Sequence, residues 1–287
     1  MSDAIGAKPR TDAPPAVLVE GLFHAYSKPV LDGVSFRVAA GEIVGYLGPN
    51  GAGKSTTIKI LLGMLAPQRG SVRVLGLDPS EDPIEVRAAV GYVPESGALY
   101  ETLSPREDLN LVGRLRHLSP ARSDDRLAAL LDAFGLGARR DARMTTFSKG
   151  MKQKVVIAAA LLHDPKVLFL DEPLNGLDAN ATLVVKDVIR GLAAKGTTVF
   201  YSSHLMDVVE RISDRVLILD HGKIVADGSL AALKAGSGDT SLEALFARLT
   251  APSEGEAKAE RILRSLADEG GRAGPGDDAP PADGSRR

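Results

Sequence analysis

The sequence predicts an α/β fold with a mainly parallel β-sheet and a helical insertion. Short apolar, β-rich runs alternate with segments of helical periodicity along most of the chain, which is typical of a sheet covered by helices. A glycine-rich loop joins one of these runs to a helix, and residues 100–145 carry only helical signals. With 287 residues, 44% of them hydrophobic, the chain is long enough to bury the core of one or two domains.

Eight strands are predicted from short runs of apolar and β-branched residues. Asp220, His221 and Gly222 separate the last two runs, which are therefore expected to pair as a β-hairpin. The predicted strands span residues 16–20, 42–47, 71–74, 90–93, 167–170, 197–201, 215–219 and 223–226.

Two helices are predicted in the insertion from the residues at their N-termini. Ser104 and Glu107 match a capping box with a proline at the first helical position between them, so a helix is expected from there to about Leu118. Ser123 is followed by two aspartates, which favour the first turn of a helix, and Gly135 follows an apolar stripe. We therefore expect a second helix with Ser123 as its N-cap.

Both ends of the chain are predicted to be disordered tails around one structured block. Residues 1–15 are polar and contain prolines, and residues 251–287 are rich in Gly, Pro, Ala and charge. Within the second tail only residues 257–266 favour a short helix. The block between the tails is expected to hold one domain over residues 16–228, with the helical insertion at about 96–150.

A helical extension is predicted after the domain, over residues 229–250. Leu242, Leu245, Phe246 and Leu249 recur at helical spacing. The simplest interpretation is a helix that packs its apolar stripe on the domain, and a role in dimerisation or regulation is the alternative.

Composition excludes several kinds of function. The formal net charge of -2 gives no sign of the broadly basic surface of a dedicated nucleic-acid-binding protein. The absence of cysteine excludes disulfides, thiolate catalysis and cysteine-ligated metals. No secretory signal is recognisable, and the longest apolar run, residues 155–162, is far shorter than the roughly 20 residues of a membrane-spanning helix. We therefore expect a chain that is soluble by itself.

The glycine-rich loop matches a Walker A phosphate-binding loop, placed between a predicted strand and a predicted helix. Its glycines let successive N–H groups point inward, and the helix N-terminus adds positive potential. Lys54 can reach the terminal phosphates of a nucleoside triphosphate, and the Ser55 hydroxyl can ligate Mg²⁺. A GTPase or a small-molecule kinase would share this loop. The predicted nucleotide-binding residues are Gly48, Pro49, Asn50, Gly51, Ala52, Gly53, Lys54, Ser55 and Thr56.

Two adjacent carboxylates follow the strand predicted at residues 167–170. Because the carboxyl ends of parallel strands meet at one edge of the sheet, Asp171 and Glu172 are expected near the phosphate loop. Asp171 is placed to hold Mg²⁺, usually through water, and Glu172 to polarise the water that attacks the γ-phosphate. Without the phosphate loop, an ordinary acidic cap leading into Pro173 would be the better interpretation.

A third motif lies about twenty residues before the carboxylate pair, just before a helix. Phe147, Ser148, Lys149, Gly150 and Met151 resemble the signature motif of the ABC family of ATPases. In that family the signature serine and glycine of one subunit close over the γ-phosphate held by the other, and Ser148 and Gly150 match those positions. Lys149 and Met151 depart from the commonest Leu-Ser-Gly-Gly-Gln form and resemble the variant of single-cassette ATPases serving exporter-type complexes.

Three further features match the family. Residues 175–178 resemble the D-loop, which crosses the dimer interface, and the resemblance adds its last residue, Asp178, to the expected nucleotide-binding set. His204 follows a β-run and resembles the switch histidine that contacts the γ-phosphate and helps align the attacking water. Tyr26 resembles the aromatic residue that stacks on adenine, with Phe23 as the alternative. The resemblance extends from residue 16 to about residue 228.

One position departs from the family pattern. The family's Q-loop usually reads Gly-Tyr-x-Pro-Gln, but Glu95 stands here in the place of the glutamine. An ionised carboxylate can still approach Mg²⁺, although it adds charge and loses the amide donors. We expect Glu95 to keep a role in magnesium binding and coupling, and a solvent-facing loop acid is the alternative.

The resemblance implies the ABC variety of the P-loop NTPase fold, in which an antiparallel β subdomain joins the parallel core. It implies an ATPase that uses ATP and Mg²⁺, and two copies, most simply a homodimer, that hold two ATP molecules between them. A separate membrane-spanning subunit would dock a helix between the helical insertion and the Q-loop. The chain would then lie peripherally at the cytoplasmic face of the cell membrane and power transport, with export favoured by the variant motifs and no nucleic-acid partner expected.

Two other kinds of function share the nucleotide motifs. A soluble ABC ATPase acting on a ribosome or nucleic acid usually carries two cassettes or a long coiled coil between Walker A and signature, whereas fewer than a hundred residues separate Lys54 from Ser148. A nucleotide-sensing binding module commonly loses the catalytic glutamate or the switch histidine, and Glu172 and His204 are both present.

Overall fold

The computed structural model describes residues 14–250 except 98, 205, 239 and 240. The predicted tails and the short helix at 257–266 therefore lie almost wholly outside the described residues. The strands of the described part are β1 Val17–Ala25, β2 Pro29–Val38, β3 Ile43–Leu47, β4 Arg69–Val74, β5 Val90–Val93, β6 Val167–Asp171, β7 Thr198–Ser202, β8 Arg215–Asp220 and β9 Lys223–Gly228.

The α-helices of the described part lie between and after these strands, with three consecutive helices between β5 and β6. They are α1 Lys54–Leu61, α2 Pro83–Ala89, α3 Pro105–Leu115, α4 Pro120–Ala133, α5 Lys149–Leu161, α6 Ala179–Ala194, α7 Met206–Ile212, α8 Leu230–Ser237 and α9 Leu242–Thr250.

Two sheets organise the fold. The larger has the strand order β5-β6-β7-β3-β8-β9, in which the first five strands are parallel and β9 pairs antiparallel with β8 as the predicted hairpin. The smaller is an antiparallel sheet of order β2-β1-β4. The carboxyl ends of β3 and β6 thus face the same edge of the larger sheet, which brings the phosphate loop and the Asp171–Glu172 pair together.

Side chains of the larger sheet alternate between two apolar cores. In β6, Val167 and Phe169 join a core shared with the small sheet and α1, whereas Leu168 and Leu170 join a core shared with the insertion, α5, α6 and α7. The second core also buries Leu242 and Leu245 of α9, as expected for its apolar stripe. Burial of the sheet on both faces fixes the strand ends that carry the functional groups.

Strand β2 was not predicted, because its side-chain alternation is interrupted. Leu31 is buried, but the next buried residues are Val34 and Phe36, so the two-residue period slips once. The slip coincides with a register shift against β1 and with Gly33 at φ 76°. A bulge of this kind conceals a strand from pattern analysis.

The helical insertion is confirmed, with one corrected boundary. Ser104 and Glu107 form the predicted capping box of α3, with Ser104 N–H donating to Glu107 Oε2 at 2.8 Å. The prediction of Ser123 as the N-cap of the second helix is wrong: Ser119 is the N-cap of α4. Pro120 starts that helix because its fixed φ suits the first helical position, and Ser123 lies buried one turn inside.

Candidate functional site

The phosphate loop is shaped by the strand and the helix that flank it. It leaves β3, which is buried along its whole length, and enters α1 at Lys54. Gly53 has φ 110°, and a Cβ there would lie 2.6 Å from Leu31 Cδ2, so the position requires glycine. The first turn of α1 has no acidic residue, which leaves its N-terminal potential positive for an anion.

Lys54 is held over the loop by backbone carbonyls. Its ammonium donates to Gly48 O at 2.7 Å and to Pro49 O at 3.1 Å. Burial lowers the pKa of Lys54, and the negative charges of Glu172, Asp171 and Glu95 act in the opposite direction. The ammonium therefore stands among three carboxylates, with its position set by the loop rather than by an ion pair.

A cleft of about 450 Å³ opens above the loop. Gly48, Pro49 and Ala52 do not line it, and the carbonyls of the first two hold Lys54 instead. The signature residues Ser148 and Gly150 and the switch residue His204 are also absent from its walls. The cleft is lined by Tyr26, Val30, Asn50, Gly51, Gly53, Lys54, Ser55, Thr56, Glu95, Asp171 and Glu172.

The donor set at the floor of the cleft fits Mg²⁺. Ser55 Oγ donates to Asp171 Oδ2 at 2.9 Å, and Glu95 is an exposed carboxylate on the same wall. Mg²⁺ in nucleotide sites takes one or two carboxylates together with phosphate oxygens and water. The described residues contain no cluster of three or more His, Asp or Glu side chains that could hold a metal ion by themselves.

Glu172 lies at the end of β6 in an unusual backbone conformation. Its φ is 50°, in the left-handed region, and its N–H donates to Ser202 O at 2.9 Å. Its Oε2 accepts a hydrogen bond from Ser203 Oγ at 3.3 Å and lies 2.8 Å from His204 Nδ1. Glu172 is 8% exposed and lines the cleft. Its contacts with Ser203 and His204, on the loop after β7, set the direction of its carboxylate.

Two residues of this site were missed by the sequence analysis. Ser203 contacts Glu172, and its position directly before the switch histidine was the available signal. Val30 forms an apolar wall of the cleft near Tyr26, but it lies in the undetected strand β2.

Tyr26 and Phe23 are in different environments. Tyr26 is 60% exposed, lines the cleft and makes an edge contact with His24 at a ring distance of 4.9 Å. Phe23 is covered by the guanidinium of Arg69, 3.9 Å from its ring centroid. Only the Tyr26 ring is open to a base, so we keep the prediction that it stacks on adenine.

Three residues of the predicted signature motif and D-loop lie outside the cleft, on what we call the signature edge: Ser148, Gly150 and Asp178. Ser148 is the N-cap of α5 and accepts from Met151 N–H at 3.3 Å. Asp178 is the N-cap of α6, and the Ala181 N–H and then Lys154 lower its pKa. Ser148 and Asp178 are both exposed.

Comparison with known proteins gives one consistent family. Residues 31–175 match the model of the ABC transporter family. The chain is 39% identical over 249 residues to the daunorubicin/doxorubicin resistance ATP-binding protein DrrA of Streptomyces peucetius, covering 86% of this chain and 74% of that protein. It is 40% identical over 206 residues to the Nod factor export ATP-binding protein I of Paraburkholderia xenovorans, covering 72% and 68%.

Solved structures show the same fold. An ATP-binding subunit of an ABC transporter superposes with a TM-score of 0.78 and 37% identity, over 82% of this chain and 99% of that chain. A bacterial ABC transporter cassette solved as a dimer superposes with a TM-score of 0.68 at 24% identity, over 75% and 98%. The predicted P-loop NTPase fold with its antiparallel subdomain and helical insertion is thereby confirmed.

The described helices include none with both the length and the hydropathy that crossing a bilayer requires. The family match, the relatives and the site geometry agree. The chain belongs to the ABC transporter family, in which it is an ATP-binding and ATP-hydrolysing cassette.

Proposed function

We propose that this chain powers export through a separate membrane-spanning subunit, and that two copies hold two ATP molecules between them with Mg²⁺. The observation that carries the proposal is the division of the site. The cleft holds the phosphate loop and the acid, whereas the exposed Ser148 and the half-buried Gly150 lie outside it on the signature edge. A second copy would place its signature edge over this cleft. The relatives named for drug resistance and Nod factor export support the direction of transport.

The chain's own residues supply positioning and proton transfer. Lys54 and the loop N–H groups hold the phosphates, and Ser55 with Asp171 would hold Mg²⁺, which neutralises charge on the γ-phosphate when bound. Glu172 accepts the proton of the attacking water. His204, which forms a hydrogen bond with Glu172, is placed to contact the γ-phosphate and align that water. Loss of the γ-phosphate removes the group that the partner's signature edge grips, so the two copies separate.

A groove beside the helical insertion is the proposed docking site for the membrane subunit. It encloses about 300 Å³ between β5 and α3. Four of its lining side chains are large, apolar and exposed: Met64 at 52%, Tyr100 at 67%, Leu111 at 37% and Leu115 at 71%. Such a concentration of apolar surface is typical of an interface.

Two arginines at one end of this groove indicate the chemistry of the docked segment. Arg116 donates to the carbonyl of Arg87, and the nearby positive charge of Arg87, after burial, lowers the pKa of Arg116. Among the described residues neither side chain forms an ion pair with a carboxylate. We propose that an amphipathic helix of the membrane subunit brings an acidic residue to this pair.

The catalytic proposal is tested with Glu172→Gln. Loss of the general base should lower the ATP turnover rate by roughly 10² to 10⁴-fold while ATP binding persists, so an ATP-bound dimer should accumulate in size-exclusion chromatography. Glu101→Gln is the control, because Glu101 is exposed and its ion pair with Lys152 lies outside the cleft. A Glu172→Gln variant that stays monomeric with ATP, or that hydrolyses it normally, contradicts the proposal.

The docking proposal is tested with Leu115→Asp, using Leu183→Asp as a control at a similarly exposed position on α6. Burial of Leu115 against a partner helix should be lost, which lowers retention on membranes of the native cells roughly 10- to 100-fold while ATPase activity in solution persists. Equal membrane retention of the wild-type chain and both variants would contradict docking at this groove.

A further inference from the structure

The N-terminal half of α5 is fastened to the loop that follows β6. At Gly150 an added Cβ would lie 2.4 Å from Gly176 O, which shows how closely the two backbones approach. Gln153 Nε2 donates to Pro173 O at 2.9 Å, and Lys154 Nζ lies 3.4 Å from Asp178 Oδ2. One face of the helix thus contacts both the first residues and the last residues of this loop.

The Gln153 contact is the buried one. Gln153 is 8% exposed, and its partner carbonyl belongs to the residue directly after Glu172. A buried side-chain amide needs such a partner, so the bond ties the helix to the peptide beside the general base. By contrast, the Lys154–Asp178 pair is exposed on its Asp178 side, where solvent weakens the attraction.

Glu172 itself has a backbone conformation that requires support. A non-glycine residue at φ 50° is strained and persists only where its surroundings fix it. On the sheet side, Glu172 N–H donates to Ser202 O, and within the loop Asn175 N–H donates to Glu172 O at 3.2 Å. From the other side, the bond of Gln153 to Pro173 O holds the following residue. The direction of the carboxylate therefore depends on α5 as well as on the sheet.

The same helix begins at the signature edge. Ser148 is its N-cap, and Gln153 follows five residues later, about 7.5 Å along the axis. Helix α5 is continuous from Lys149 to Leu161, so a displacement of its N-terminus would be carried to Gln153. The helix therefore links a surface facing the partner's nucleotide to the acid of this copy's own cleft.

We propose that Gln153 is a positioning residue through which ATP engaged at the signature edge of one copy orients Glu172 of that same copy. The inference rests on the proposed sandwich of two copies and specifies how its two sites communicate. Each copy would hydrolyse its own ATP efficiently only when its signature edge has closed on the partner's ATP.

The first test replaces Gln153 with Met, which has similar size and no donor. We expect kcat for ATP to fall about tenfold with KM changed less than twofold, since a small misplacement of the base affects the chemical step. The fall should vanish when Glu172→Gln is also present. Lys152→Met is the control, because Lys152 lies on the same helix but pairs with Glu101 and not with the loop. Equal kinetics of Gln153→Met and Lys152→Met would overturn the inference.

The second test keeps Gln153 and so does not depend on whether the variant folds. Differently tagged chains give mixed dimers in which one copy carries Ser148→Arg. This removes the signature contact over the other copy's ATP and leaves one site with all its own residues. The inference predicts that this intact site also slows, so that turnover falls well below half of the wild-type dimer's value. Turnover at half the wild-type value would show independent sites and overturn it.

The two proposals fail in distinguishable ways. A wild-type chain that neither dimerises with ATP nor hydrolyses it removes the proposed sandwich itself. A wild-type chain that does both, while its mixed dimers keep half the activity, removes only the proposed coupling of the two sites through Gln153.

Discussion

The nucleotide cleft and the signature edge differ in what surrounds their key groups. In the cleft, Lys54 is held by two carbonyls of its own loop, and Glu172 is held by Ser203 and His204. At the edge, Ser148 is exposed, and the contact found for its side chain is the helix cap to Met151 N–H.

If two copies form the proposed sandwich, the cleft and the signature edge are two differently built halves of one active site. The phosphate loop is preorganised, because the buried strand β3 before it and helix α1 after it fix its N–H donors and Lys54. The edge is the N-terminus of α5, and under the proposed sandwich its serine and glycine contact the nucleotide of the other copy. Changes at the edge should therefore affect turnover without affecting binding, and changes at the rim of the cleft should do the reverse.

Gly150→Ala should give the largest effect at the edge. The added methyl group would meet Gly176 O at 2.4 Å, so the start of α5 must shift away from the D-loop. We expect kcat for ATP to fall roughly 10- to 100-fold while the dissociation constant of ATP from the monomer stays within twofold. Steady-state ATPase assays and fluorescent-nucleotide titrations measure the two quantities.

Gly191→Ala is the matched control for that change, because a Cβ at this position in α6 meets nothing within 4 Å. Its kinetics should equal those of the wild type. If Gly150→Ala instead weakened ATP binding by as much as it slowed turnover, the edge and the cleft would not be separate functional units.

Tyr26→Ala should give a smaller and opposite pattern. Removal of a stacking ring that is 60% exposed costs about 1 kcal/mol, so the dissociation constant of ATP should rise about fivefold with little change in kcat at saturating ATP. Tyr26→Phe keeps the ring and should bind like the wild type. If ATP affinity fell fivefold on replacement of Phe23 and not on replacement of Tyr26, the assignment of adenine stacking to Tyr26 would be wrong.

The sequence predicted the motif residues of the cleft better than the residues that pack against them or hold them in place. Walker A residues and the Asp171–Glu172 pair follow directly from short contiguous motifs on two parallel strands. Val30 was missed because its strand is concealed by the bulge at Gly33, and strand pairing over that bulge is a tertiary property. Gln153 lies six residues after the start of the signature motif, yet no local pattern shows that its amide reaches Pro173, twenty residues away.

In the helical insertion, too, the sequence predicted a feature where the local signals agreed and failed where they conflicted. Ser104 and Glu107 predicted α3 correctly because both members of a capping box lie within four residues. At α4 the aspartates after Ser123 suggested a first turn, but Pro120 had already started the helix. Local signals compete there, and the fixed φ of proline decides the outcome.

Glu95→Gln should give the smallest effect, and it concerns the position at which the cleft departs from the family pattern. Glu95 is exposed on the wall of the cleft, and its negative charge acts on Lys54 together with Asp171 and Glu172. Removal of one solvent-screened charge should raise the Mg²⁺ concentration for half-maximal ATPase activity about twofold to threefold.

Magnesium titrations of ATPase activity at saturating ATP measure this midpoint. Glu101→Gln is the control, because it removes a charge outside the cleft. Because an amide oxygen can still approach Mg²⁺, kcat at saturating magnesium should remain close to that of the wild type. If Glu95→Gln left both the magnesium midpoint and transport unchanged, Glu95 would be a solvent-facing loop acid. The proposed Mg²⁺ site would then depend on Ser55, in the first turn of α1, and Asp171, at the end of β6, which are joined by a hydrogen bond of 2.9 Å.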